Sequence, residues 1–99
     1  SEVRRKSVLI ERFLREKICP MDSRIQVRGI GFMWGLDFEK IPGASDAMVN
    51  TCFRNGLIAE NAGRGNNVLK LFPPLTISDE DLNMGLEIVC KSLAEVLGK

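Results

Sequence analysis

Histidine is absent from this chain, and with it the commonest metal ligand and the commonest general base. Charge of one sign is not in excess either. Fourteen basic residues stand against thirteen acidic ones, a net charge of +1. That balance gives no general ground for binding nucleic acid, a membrane surface or another polyanion. The three cysteines, Cys19, Cys52 and Cys90, lie 33 and 38 residues apart. This is neither a zinc spacing nor a paired disulfide framework, so reduced thiols and a cytoplasmic protein are expected. No apolar run approaches the ~20 residues of a membrane span. The opening SEVRRKSVLIERFLREK interrupts its apolar residues with charges and has no signal-peptide core.

What remains suits one small domain. The chain has 99 residues, close to the usual domain size of roughly 100–150. At 44% hydrophobic residues, with Trp34 and five phenylalanines, it can build a core with little surplus. Eight of the fourteen basic residues precede Gly29. Arg4, Arg5, Lys6 and Arg12 among them fall in the first expected helix, where a solvated face is the simplest account.

Val3, Ile10, Phe13, Leu14 and Ile18 recur at helical steps, which predicts an amphipathic helix from about Glu2 to Ile18. Pro20 is expected to push Cys19 out of helical geometry and end it. The helix has no preceding loop, as expected of one cut from a longer chain. Ile25 and Val27 alternate with polar neighbours as a short strand. After Gly29-Ile30-Gly31, Phe32, Trp34, Leu36 and Phe38 share one face of a second strand, and Met33, Gly35, Asp37 and Glu39 the other. A helix is expected over 45–55, burying Met48, Val49, Cys52 and Phe53, with Gly56 as its left-handed cap. Leu57 to Glu60 reads as a strand, Gly63 to Asn67 as a turn, and Val68 to Phe72 as the partner strand. Ser78 caps a last helix with the buried stripe Leu82, Leu86, Val89, Leu93 and Val96 or Leu97. Gly85 in that helix suggests a close packing contact. The fold class is therefore α+β, in the order αββαββα, with a small, mainly antiparallel sheet and helices packed on one face.

Several runs invite chemistry. Arg28-Gly29-Ile30-Gly31 looks like a phosphate loop, but its glycines lead into a strand where such a loop needs a helix. Gly63-Arg64-Gly65 makes a sound hairpin turn, with Arg64 an exposed turn arginine. Asp37 and Glu39 share a strand face, yet nothing nearby completes an acid–base pair. Lys70 stands apart. The run Val68 to Ile77, VLKLFPPLTI, delivers one cation on a strand and stops at Pro73-Pro74. Strand and prolines together remove most of its backbone freedom, as a cation meeting an anion at a fixed place requires. An edge-strand lysine that discourages aggregation fits the same pattern.

Taken with Arg28 to Phe38, RGIGFMWGLDF, this run resembles the C-terminal small domain of class III pyridoxal-phosphate aminotransferases. The family pattern R-G-x-G-L-M-x-G-I-E is matched by Arg28 to Asp37. Its G-L-I is matched by Gly56-Leu57-Ile58, and its arginine-x-x-P-P-L by Lys70 to Leu75. The resemblance runs in order over nearly all 99 residues. It is similar to the diaminobutyrate–2-oxoglutarate branch in Met33-Trp34-Gly35-Leu36, in Glu60 soon after Gly56-Leu57-Ile58, and in lysine replacing the common arginine.

The resemblance implies that residues 1–99 form the small domain of a transaminase. The enzyme would move an amino group from diaminobutyrate or a related donor to or from 2-oxoglutarate through pyridoxal phosphate. It implies Lys70 as the substrate-binding residue that grips a carboxylate, with a point charge where arginine would offer a planar fork. It places the cofactor lysine, the phosphate-binding groups and the aspartate facing the pyridine nitrogen in a large domain of the same chain. No catalytic, cofactor-binding or metal-binding residue is then expected in these 99. A homodimer of the parent enzyme is implied, with amino-acid and oxo-acid substrates as partners and neither nucleic acid nor membrane. The alternative is a stand-alone α+β ligand-binding or regulatory module, which should begin with a capped helix and close its own apolar surface.

Overall fold

The computed structural model describes residues 2–30, 33–63, 65, 67–71 and 77–99. The first helix, α1, spans Glu2–Phe13 and continues through a wide turn, Leu14–Ile18, into a tight one, Cys19–Met21. Ile10, Leu14 and Ile18 point into the core, as their spacing predicts. Cys19 is not pushed out of helical geometry: it keeps φ −56° and ψ −38°. In an α-helix the Pro20 ring would meet the carbonyl of residue 16. The chain avoids this by widening, so that the Cys19 N–H donates to the Leu14 carbonyl, five residues back. Pro20 then enters the tight turn near its start, where a missing N–H costs nothing. Helical geometry ends at Asp22, which is extended. Its carboxylate accepts from the Arg24 guanidinium and backbone N–H, and its pKa is drawn down to about 2.

Among the described residues, four strands form one antiparallel sheet in the order β1-β2-β4-β3. They are β1, Gln26–Ile30; β2, Met33–Asp37; β3, Glu60–Ala62; and β4, Val68–Leu71. Ile30 pairs with Met33, so the glycine run leads from strand to strand. In the centre, Leu36 pairs with Leu69 and Trp34 with Leu71 on one face. Both central leucines are fully buried. The helices α1, α2 (Ala44–Arg54) and α3 (Asp79–Leu97) pack on that face.

The buried stripe of α2 runs through Ala44, Ser45, Met48, Thr51 and Cys52. Phe53, expected inside, is 68% exposed. One residue beyond Cys52, it has rotated about 100° off the stripe, and Thr51 takes the inward place. Gly56, at φ +97°, lets the chain reverse. Gly56 N–H donates to Phe53 and Leu57 N–H to Cys52, two bonds that satisfy the last carbonyls of the helix. Because Leu57 is committed to that cap, the strand expected over Leu57–Glu60 begins later, at Glu60. The Ser78 hydroxyl accepts from the Asp81 N–H at 3.1 Å and caps α3 as expected. The α3 stripe Leu82, Leu86, Val89 and Leu93 is buried.

Polar ties fasten the helices. The Arg5 guanidinium forks onto both Asp79 oxygens, at 2.8 and 2.9 Å, and also meets Glu2. This pairing raises the arginine pKa and lowers those of both carboxyls. The Trp34 indole N–H donates to Ser7 Oγ at 3.1 Å, holding β2 to α1. Asn55 donates to Ser92 at 2.9 Å, holding the end of α2 to α3.

Two glycines make opposite demands. A Cβ on Gly35 would lie 2.8 Å from Val68 Cγ1, and valine is stiff at χ1. A Cβ on Gly85 would meet only Leu57 Cδ1, at 3.9 Å, so the close contact suggested by the sequence is not there. Gly35→Ala should destabilise the chain by about 1–3 kcal/mol, and Val68→Ala should relieve part of that loss. Gly85→Ala should stabilise it by about 0.5–1 kcal/mol through helix propensity. Denaturant titration of the three variants and the double variant checks both signs.

Candidate functional site

The side of the sheet away from the helices carries Gln26 and Arg28 on β1, Gly35 and Asp37 on β2, Val68 and Lys70 on β4, and Glu60 and Ala62 on β3. Strand alternation brings them to one face. Lys70 lies on it, and Leu69 and Leu71 point to the helices, as the sequence pattern predicts. β4 is not an edge strand, however: β2 flanks it on one side and β3 on the other. A lysine there does not guard an open edge, so the aggregation-blocking explanation loses its premise.

Lys70 is half-buried. Its partner on β2 is Gly35, which is buried and offers no side chain. Its partner on β3 is Glu60, whose relation to Lys70 could not be found from local pattern. Phe72, the last residue of the expected strand, and the double proline Pro73-Pro74 lie outside the described residues, as does Arg64 in the hairpin turn.

The β1–β2 half of the face is occupied by an ion pair. Arg28 Nε donates to Asp37 Oδ2 at 2.8 Å, and the Glu39 backbone N–H donates to Oδ1 at 2.9 Å. A second arginine nitrogen donates to Gln26. Asp37 is only 7% exposed. Burial pushes its pKa up, but the Glu39 amide and the Arg28 guanidinium outweigh that and leave it lowered. Asp37 and Glu39 therefore make no acid–base pair, because the first carboxylate is already engaged and the second lies past the strand, exposed. Arg28 is likewise a partner of Asp37 and not part of a phosphate loop.

Beside the end of β4, a cavity of about 280 Å³ opens between α1, α3 and the chain leading into β3. Its lining is mostly apolar, with Ile10, Leu57, Leu71 and Leu86 among it, and its charged members are Glu60, Lys70 and Asp81. Among the described residues there is no cluster of three or more acidic or cysteine side chains placed to hold a metal. No described helix is long and apolar enough to cross a membrane. The glycine run joins two strands and presents no helix N-terminus to a phosphate.

Comparison with known proteins is consistent across sequence and structure. The family model for class-III aminotransferases matches residues 2–93. The diaminobutyrate–2-oxoglutarate transaminase of Marinococcus halophilus is 42% identical over 95 residues, 95% of this chain and 22% of that protein. N-acetylornithine aminotransferase from Stenotrophomonas maltophilia K279a superposes with a TM-score of 0.84 at 26% identity, over 98% of this chain and 26% of that one. A pyridoxal-phosphate-bound aminotransferase mutant from Vibrio fluvialis gives 0.81 at 28% identity, over 98% of this chain and 23% of that one. The chain thus spans about a quarter or less of the proteins it matches.

Asp37, held by the Glu39 amide and the Arg28 guanidinium, sets an acid limit on stability. The folded-state pKa of Asp37 is lowered, so its contribution is fully present above the ordinary carboxylate pKa. It is lost as pH falls through the lowered value. Asp37→Asn should destabilise the chain near neutrality, and the gap to the native sequence should narrow as pH drops. Denaturation midpoints from about pH 7 to about pH 3 check this, and a gap independent of pH would contradict it.

Proposed function

The chain belongs to the class-III aminotransferase family, and we propose that it is the C-terminal small domain of a diaminobutyrate–2-oxoglutarate transaminase. Its share of the reaction is to form one wall of the substrate cleft and hold a substrate carboxylate with Lys70. Pyridoxal phosphate supplies the electron sink of such an enzyme, and in this proposal it is held mainly by a large domain outside these 99 residues. The substrates are the diamino acid and the oxo acid, and the working unit is a cytoplasmic homodimer.

The observation that carries the proposal is the place of Lys70. It is half-buried on an interior strand, on the sheet face opposite the buried Leu69. It is also the position at which the family resemblance expects an arginine gripping carboxylate. A buried stem with a cationic tip lets an aliphatic chain pack on the sheet while the ammonium reaches outward. The likeness to Marinococcus halophilus diaminobutyrate–2-oxoglutarate transaminase supports the choice of substrate, as do the family match and the aminotransferase structures for the reaction class.

In the full-length enzyme, Lys70→Ala should lower kcat/KM by about 10- to 150-fold, the equivalent of a hydrogen bond to a charged group. Cofactor absorbance and thermal melting should hardly move. Lys70→Arg should retain more activity than the alanine variant, because the charge remains. Unchanged kinetics of Lys70→Ala with every substrate would sink the role given to Lys70. The 99-residue chain alone should form no saturable, borohydride-reducible imine with pyridoxal phosphate; an absorbance titration tests this directly.

A further inference from the structure

Glu60 stands directly across from Lys70 in the β3–β4 pairing, and by strand alternation both side chains leave the sheet on the face opposite the buried Leu69. Directly opposed residues of an antiparallel pair have Cβ atoms about 4.5–5.5 Å apart. One carboxylate and one ammonium therefore rise side by side from a rigid base. Gly35, the other neighbour of Lys70, contributes no side chain. Glu60 is exposed and begins its strand. By strand alternation its carboxylate leaves the sheet on the same face as the Lys70 ammonium.

This arrangement matches a particular ligand end. A diamino acid such as 2,4-diaminobutyrate carries a carboxylate and an ammonium on one carbon, with a second amino group at the far end. When the far amino group is transferred, the near one remains as an ammonium beside the carboxylate. An ω-amino acid such as 4-aminobutyrate has the same carboxylate and the same far amino group but lacks the near ammonium. Lys70 alone cannot distinguish the two, because both offer it the same anion.

Resting on the function proposed above, we infer that Glu60 and Lys70 together receive the zwitterionic head of the diamino donor. Lys70 takes the carboxylate and Glu60 takes the ammonium that is not transferred, which makes Glu60 the residue that favours diamino over ω-amino acids. A donor without that ammonium leaves Glu60 facing the ligand without its charge partner, which penalises it.

The test is steady-state kinetics of the full-length holoenzyme with 2,4-diaminobutyrate and with 4-aminobutyrate, at saturating 2-oxoglutarate. If 4-aminobutyrate does not react, its inhibition constant against diaminobutyrate is measured instead. Glu60→Gln keeps the size of the side chain and removes its charge. It should lower kcat/KM for diaminobutyrate by about 10- to 150-fold and leave the 4-aminobutyrate value nearly unchanged or improved, which also shows that the variant is folded and loaded. Equal losses with both ligands would mean that Glu60 only positions Lys70 and would overturn the inference, as would no change with either. Lys70→Ala, measured alongside, separates the two levels. If it weakens both ligands while Glu60→Gln changes nothing, the site stands and the role of Glu60 does not. If Lys70→Ala changes nothing, the site itself is elsewhere.

Discussion

The pairing of β2 with β4 is the constraint on which the rest of this domain depends. It places Leu36 beside Leu69 under the helices and, by strand alternation, Gly35 beside Lys70 on the opposite face. A slip of one residue would turn the leucines to solvent and the lysine into the core. The apolar cost of that slip, about 1.5–3 kcal/mol for each fully buried leucine, is what fixes the position of the lysine. Packing on one side of the sheet thus orients chemistry on the other. Gly35 belongs to the same arrangement, because Val68 occupies the space that a Cβ would need.

Much of this was legible in the sequence because it depends on local period. The helices appear where apolar residues recur at helical steps, and Ser78 and Gly56 cap them as their chemistry predicts. Lys70 opposes Leu69 and Leu71 because any strand alternates. Three features were not legible. Phe53 is apolar but one step off the stripe, and position outweighs composition there. The turn before Pro20 widens, a response of the backbone that no propensity encodes. The strand after α2 starts at Glu60 because the amide of Leu57 is spent on the helix cap.

That last shift explains why the candidate site was only half visible. With a strand over Leu57–Glu60, the glutamate would be its final residue. In the structure it is the first, and pairing with β4 sets it opposite Lys70. Pairings between distant segments leave no trace in either segment alone. The same limit applies to the interior place of β4, which requires β1 and β2 to lie on one side of it and β3 on the other. The Arg28–Asp37 pair is a milder case, because both residues sit in the matched family run while their contact follows from the β1–β2 register.

The sheet order also shapes how the chain reaches its fold. β1 with β2, and β3 with β4, are neighbours in sequence and can each close as a hairpin on the microsecond scale. The join between β2 and β4 brings together Asp37 and Val68 across the whole of α2, β3 and the turn that follows it. Closing a loop of that length carries an entropic cost before any contact repays it. Folding speed in small domains falls as such non-local contacts dominate. The pairing that closes the longest loop in the sheet is therefore the seam between the two hairpins, where Gly35 and Lys70 meet.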